Sequence, residues 1–154
     1  MIKKVLLTAL VIMLALSLLT ACSPKEYLTG AGFADIVERA GYTVDDFTDD
    51  FDGPDYAYIQ AVAPDGSFII DFFVAASVEE TRDMYKEIKK ELDSLGGVWR
   101  SRIQNNAANY NLYRGTNDGV YYVASRIENT LLYIETDAEY RKEVDEILEK
   151  LGYK

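Results

Sequence analysis

The chain of 154 residues predicts an α+β fold, a curved antiparallel β-sheet with helices packed on one face. Three observations carry this. Ser77-Val78-Glu79-Glu80 is a capping box, and Met84, Tyr85, Ile88, Leu92 and Leu95 follow it at helical spacing. Six short runs rich in β-branched and aromatic residues alternate with turn-forming clusters. A second and a third helical pattern flank them, so the order reads α-β-β-α-β-β-β-β-α.

Thr29 is placed to cap a helix over Gly30 to Ala40, with Phe33, Ile36, Val37 and Ala40 on one side and Gly41 as its stop. Tyr42 to Asp55 holds six aspartates, Asp45, Asp46, Asp49, Asp50, Asp52 and Asp55. It reads as an irregular acidic segment with a short strand at its start. Tyr56–Ala63 and Ser67–Ala75 read as strands around a turn at Pro64-Asp65-Gly66. A three-residue loop pairs Ala63 with Ser67 and gathers Tyr56, Tyr58, Val62, Phe68, Ile70, Phe72 and Val74 on the core face.

The long helix ends at Gly96-Gly97. Strands follow at Val98–Ile103, Asn109–Arg114, Val120–Ile127 and Leu131–Thr136, with turns at Asn117-Asp118-Gly119 and Glu128-Asn129. Asp137 is the expected cap of a last helix that buries Tyr140, Val144, Ile147, Leu148 and Leu151 and closes at Gly152.

The pairing implied by these turns sets Arg114 opposite Tyr122, Tyr110 opposite Arg126, and Arg126 opposite Leu131. Alternation along each strand then brings Tyr110, Arg114, Tyr122, Arg126 and Tyr133 onto one face, with Arg100 and Arg102 joining from the preceding strand. Tyrosine and arginine are the residues enriched at binding hot spots, and tyrosine rings also stack on sugars. These seven residues are the candidate binding face, for an envelope protein or a wall glycan. The competing reading covers that face with the acidic 42–55 segment, its aspartates paired to the arginines.

Composition excludes several chemistries. The chain has no histidine and a single cysteine, which removes Ser/His and Cys/His nucleophiles, zinc sites built on those residues, and disulfides. Sixteen basic residues face 26 acidic ones, which disfavours nucleic acid as a partner. Thr48, Asp50, Asp52 and Gly53 match positions 1, 3, 5 and 6 of a calcium loop, but Thr48 is not an acid and Ile59 stands at position 12. Calcium or small-ligand binding is therefore the alternative reading. Carboxylate-based glycoside hydrolysis comes last, since no pair of acids is singled out. The expectation is no enzyme, no cofactor and no metal.

The first 22 residues point to a location. Lys3 and Lys4 precede an uncharged leucine-rich run, Val5 to Ala21, and small residues stand just before Cys22. At 17 residues the run is short of the roughly 20 a transmembrane helix needs. A plain secretory signal followed by a chance cysteine is the other competitor. Leu19-Thr20-Ala21-Cys22 resembles the lipobox of bacterial lipoproteins. The resemblance implies removal of residues 1–21, a lipid on Cys22, a short tether over 22–28, and a single domain over 29–154 on the outer face of a cell membrane. Fourteen basic residues would then remain against 26 acidic ones, a formal charge of −12. Ala40-Gly41-Tyr42-Thr43-Val44, Tyr121-Tyr122-Val123-Ala124-Ser125-Arg126, Asn129-Thr130-Leu131 and Leu151-Gly152-Tyr153 are similar to stretches in a group of small lipoproteins common in Gram-positive bacteria. That likeness implies fold and location and carries over no catalytic or binding residue.

Overall fold

Side-chain caps set where the first two helices begin. A computed structural model describes residues 24–50 and 55–154, so the signal segment 1–21, Cys22, Asp52 and Gly53 lie outside the described residues. The Thr29 hydroxyl accepts from the Gly32 amide at 3.1 Å and starts α1, Gly30–Arg39. Ser77 does the same for Glu80 at 3.2 Å and starts α2, Val78–Ser94. The last helix, α3, Arg141–Leu151, begins differently. Asp137 ends a strand and makes no side-chain cap, and a single 3₁₀ turn at Ala138–Tyr140 leads into α3 instead. Gly152, at φ 78°, closes it as its position predicts.

Seven strands form one antiparallel sheet: β1 Thr43–Asp46, β2 Ala57–Val62, β3 Ile69–Val74, β4 Trp99–Asn106, β5 Tyr110–Asn117, β6 Val120–Ile127 and β7 Thr130–Asp137. Their spatial order is β1-β2-β3-β7-β6-β5-β4. The α+β class and the element order agree with the sequence reading, and β1 is the short strand expected at the head of the acidic segment.

Two registers differ from expectation by one residue, each for a reason of turn chemistry. In the β2–β3 hairpin, the Asp65 carboxylate accepts from both the amide and the hydroxyl of Ser67. That local turn holds Ser67 out of the ladder, so Ala63 pairs with Phe68 across a four-residue loop. Ile59, Ala61 and Ala63 consequently face the core, and Tyr58 and Val62 face the other way. In the β5–β6 hairpin, Asp118 and Gly119 both take positive φ, 46° and 91°, as a two-residue turn requires. Asn117 therefore pairs with Val120, and every pairing along β5 moves by one. The β6–β7 register, with Arg126 opposite Leu131, is as predicted.

The helices cover both faces of the sheet, which corrects the expectation of one. On one face Phe33 and Val37 of α1 and Val144, Ile147, Leu148 and Leu151 of α3 pack on Ile59, Ile70, Phe72, Leu132, Ile134 and Val123. Phe33 stacks on Phe72 with centroids 4.3 Å apart, and Tyr153 meets the same ring edge-on at 6.0 Å. On the other face Tyr85 and Leu92 of α2 pack on Tyr113, Tyr122, Ala124 and Leu131. The sequence carries the cause: β6 and β7 are apolar at both alternations, the pattern of a sheet buried on two sides. Among the described residues no helix is long and apolar enough to cross a membrane.

Candidate binding surface

The shifted β5 register divides the seven predicted residues between the two faces. Tyr110 and Arg114 lie on the face of α1 and α3, while Tyr122, Arg126 and Tyr133 lie beneath or beside α2. Arg100 and Arg102, two apart, also point to opposite faces. A bulge between Arg100 and Ile103, with Ser101 at φ 54°, inserts one extra residue opposite Gly115 and breaks the alternation.

Most of the seven are occupied within the domain. Arg114 Nη1 donates to Asp145 Oδ1 of α3 at 3.1 Å, and Tyr121 donates to the same oxygen at 2.8 Å. Arg102 pairs with Asp93 of α2 and lies over the rings of Trp99 and Tyr113, at 5.3 and 5.1 Å. Tyr110 carries the Lys25 ammonium at 4.5 Å. Tyr122 is buried, and Arg126 is only 1% exposed. An exposed Arg126–Tyr122 pair is thereby excluded. Arg100 alone of the four arginines stays exposed without an ion pair among the described residues. The covering is done by helices. Strand β1 of the acidic segment lies at the edge of the sheet opposite β4, and among the described residues no aspartate of that segment forms an ion pair with these arginines.

Arg126 has a structural task. Its Nε donates to Asn111 Oδ1 and its Nη1 to the Glu128 carbonyl, each at 2.7 Å. Burial, with Arg82 nearby, pulls its pKa below the usual arginine value. The guanidinium pins the tight turn where Glu128 adopts φ 50°.

A different surface is only partly covered, with the Phe47 ring 5.5 Å from that of Tyr58. α2 covers β6 and part of β7, so the same face of β2 and β3 is only half-buried, at Tyr58, Gln60, Asp71 and Phe73, and Ile69 is exposed. Gln60 Nε2 donates to the Tyr58 hydroxyl at 2.6 Å and to Asp71 Oδ1 at 2.8 Å, and Tyr58 donates to the same Asp71 oxygen at 2.8 Å. Tyr58 stacks flat on Phe73, centroids 4.5 Å apart. Next to Asp71 across the ladder is Tyr133, whose hydroxyl donates to Glu135 at 3.0 Å. Burial raises the Tyr58 hydroxyl to about 12, helped by Asp71, and raises Tyr133 further still, helped by Glu135. Both phenols are therefore neutral donors and acceptors at ordinary pH.

Where this face meets α2, Ala57, Phe73, Val74 and Met84 floor an apolar cleft of about 360 Å³. Sequence reasoning found Tyr133 here and missed Tyr58, Gln60, Asp71 and Phe73. The one-residue slip in the β2–β3 register had turned Tyr58 to the core. The detectable signal was Gln60 and Asp71 themselves, polar residues at the alternate positions of otherwise apolar strands.

For metals the geometry is unhelpful. Ile59, at position 12 of the calcium pattern, is buried in the core of β2. Among the described residues no three acidic side chains converge as a metal site requires.

No protein-family model matches the chain, and no curated protein does. Among solved structures, a GTP-binding regulator from Thermotoga maritima, determined by crystallography at 1.75 Å, is similar at a TM-score of 0.48 and 16% identity, over 84% of this chain and 90% of that one. A likeness of that degree carries nothing over to this chain.

Proposed function

We propose that this chain is a membrane-anchored, extracytoplasmic lipoprotein that binds an envelope protein through the open half of its sheet, without catalysis. The observation that carries the binding reading is the Tyr58–Gln60–Asp71 network beside Phe73 and Tyr133, a half-buried surface of aromatic rings and fixed polar groups on the part of the sheet that α2 does not cover. Such surfaces supply the aromatic anchors and directed hydrogen bonds on which protein recognition depends. A wall glycan is the second reading, favoured by an amide and a carboxylate set next to a flat ring.

Anchoring rests on the Leu19–Cys22 motif and is supported by how the chain enters the domain. Asn109 Nδ2 donates to the Lys25 carbonyl at 2.9 Å, and Lys25 Nζ donates to the carbonyls of Gly152 and Lys154. Leu28 packs on the core. With the chain held from Lys25 onward, three residues span from Cys22, at most roughly 10 Å. A lipid on Cys22 would hold the domain close above the bilayer, with the β4–β5 and β6–β7 turns toward it.

The test is in two parts. Labelling cells with a palmitate analogue should mark the wild-type protein, and Cys22→Ser should lose both the label and the membrane fraction. An unlabelled or soluble wild type would refute the anchor. Crosslinking from a photoreactive residue at Ile69 on intact cells should then capture one envelope protein, and lose it on Tyr133→Ala. Capture unchanged by that substitution would refute the surface.

A further inference from the structure

We infer that the cleft between α2 and the β2–β3 edge receives a lysine or arginine side chain from a basic segment of the partner polypeptide. This inference rests on reading the open face as a binding surface and assigns that surface its chemistry. Three features of the cleft carry it.

Its floor is hydrocarbon. Phe73 and Met84 offer a flat ring and an adaptable thioether to an aliphatic stem, and about 360 Å³ is at the small end of ligand-sized pockets. Its rim is acidic on one side. Glu80, Asp83 and Glu87 recur at helical spacing, so α2 presents all three along the cleft. Among the described residues nothing basic lines it. Tyr56 donates to Glu80 at 3.1 Å, and Asp83 is shared with Lys86 one turn away at 2.7 Å, but Glu87 forms no ion pair among the described residues.

An apolar channel ending at carboxylates matches a side chain with an aliphatic stem and a cationic head. The same pattern repels anionic polymers and acidic lipid surfaces. Phe73 lines the cleft and stacks on Tyr58, so the cleft is continuous with the open face, where Asp71 and Glu135 add charge of the same sign. A partner segment can insert one basic residue into the cleft and run on past the carboxylates of Asp71 and Glu135.

The test uses residues 22–154 and a fluorescein-labelled nonapeptide of alternating lysine and leucine, read by anisotropy at low salt. Its glutamate counterpart and an N-acetylglucosamine tetramer are the comparators. The lysine peptide should bind and the other two should not. Glu80→Gln with Glu87→Gln should weaken it about tenfold, as two partly exposed ion pairs at the upper end of their usual worth would. Met84→Lys, which fills the cleft with a tethered cation, should abolish binding while the circular dichroism spectrum is unchanged. Equal binding of lysine and glutamate peptides, no binding of the lysine peptide, or affinity indifferent to the double substitution would overturn the inference. Binding lost on Asp71→Asn but kept in the double variant would overturn the cleft alone and leave the open face standing.

Discussion

Arg126 Nη1 donates to the carbonyl oxygen of Glu128, 2.7 Å away, so a nearly fully buried guanidinium clamps the turn that immediately follows it. No carboxylate pairs with it among the described residues. Its second tie, Nε to Asn111 Oδ1, crosses to the neighbouring strand. Removing the side chain leaves two part-buried acceptors without their donor, each costing up to about 1–3 kcal/mol. Arg126→Met should therefore lower unfolding stability by about 2–4 kcal/mol, measured by urea denaturation. Arg126→Lys should lose most of that too, because one ammonium cannot span both acceptors in the planar geometry a guanidinium supplies. A loss under 1 kcal/mol in both would show that the clamp is dispensable.

The part of the fold that sequence conveys is the part set locally. The Ser77–Glu80 cap, the Gly41 and Gly152 stops and the strand positions all depend on neighbours a few residues away, and all are present. Register depends on how many residues a turn consumes. Ser67 sits in its turn because Asp65 binds it, and Asn117 left its turn because Asp118-Gly119 suffices. Each is one residue, and each reverses which side chains face the core. The Ser101 bulge was illegible because the left-handed position is filled by serine, not glycine. The candidate face dissolved for these reasons, and Arg126 went from an exposed anchor to a buried brace.

Gly115 is required by that same bulge. A Cβ there would lie 3.2 Å from the Arg102 Cα and 3.2 Å from the Trp99 ring, with backbone on one side and a packed indole on the other. Gly115→Ala should destabilise by about 1–3 kcal/mol through overpacking. Ser101→Gly should act in the opposite direction, gaining up to about 1 kcal/mol, since glycine adopts positive φ without steric cost. Thermal denaturation of the two variants should bracket the wild type. Melting temperatures displaced in the same direction would refute this account of the bulge.

The docked entry segment should be measurable without any membrane. Lys25 reaches the C-terminal carbonyls and the Tyr110 ring, and its backbone carbonyl is held by Asn109. Asn109→Ala removes one hydrogen bond worth about 0.5–1.5 kcal/mol. Because the tie is local, its main effect should be on opening of this segment, not on global unfolding. Trypsin should cut after Lys25 slowly in the wild type and several times faster in Asn109→Ala, with little change in melting temperature. Equal cleavage rates would mean that the segment is not held there.

Alkaline pH should unfold the domain through its tyrosines. Burial is the leading cause that raises Tyr42, Tyr85, Tyr121 and Tyr153 to about 12, from an ordinary value of 10. A phenol whose folded pKa lies above its unfolded one stabilises the native state as long as it is protonated in both. That contribution is complete below pH 10 and is lost as pH rises through 12, because the unfolded chain ionises first and is drawn down by its own deprotonation. With no histidine in the chain, no corresponding step is expected near neutrality. Tyrosinate absorbance from these phenols should therefore appear as a separate second stage, above the ordinary phenol range and together with loss of the far-ultraviolet circular dichroism signal. Tyr121→Phe should keep the ring, remove one ionising group and delay that second stage, although it leaves Asp145 with only its arginine partners. A single titration near pH 10 with the fold intact would refute the assignment of these phenols to the core.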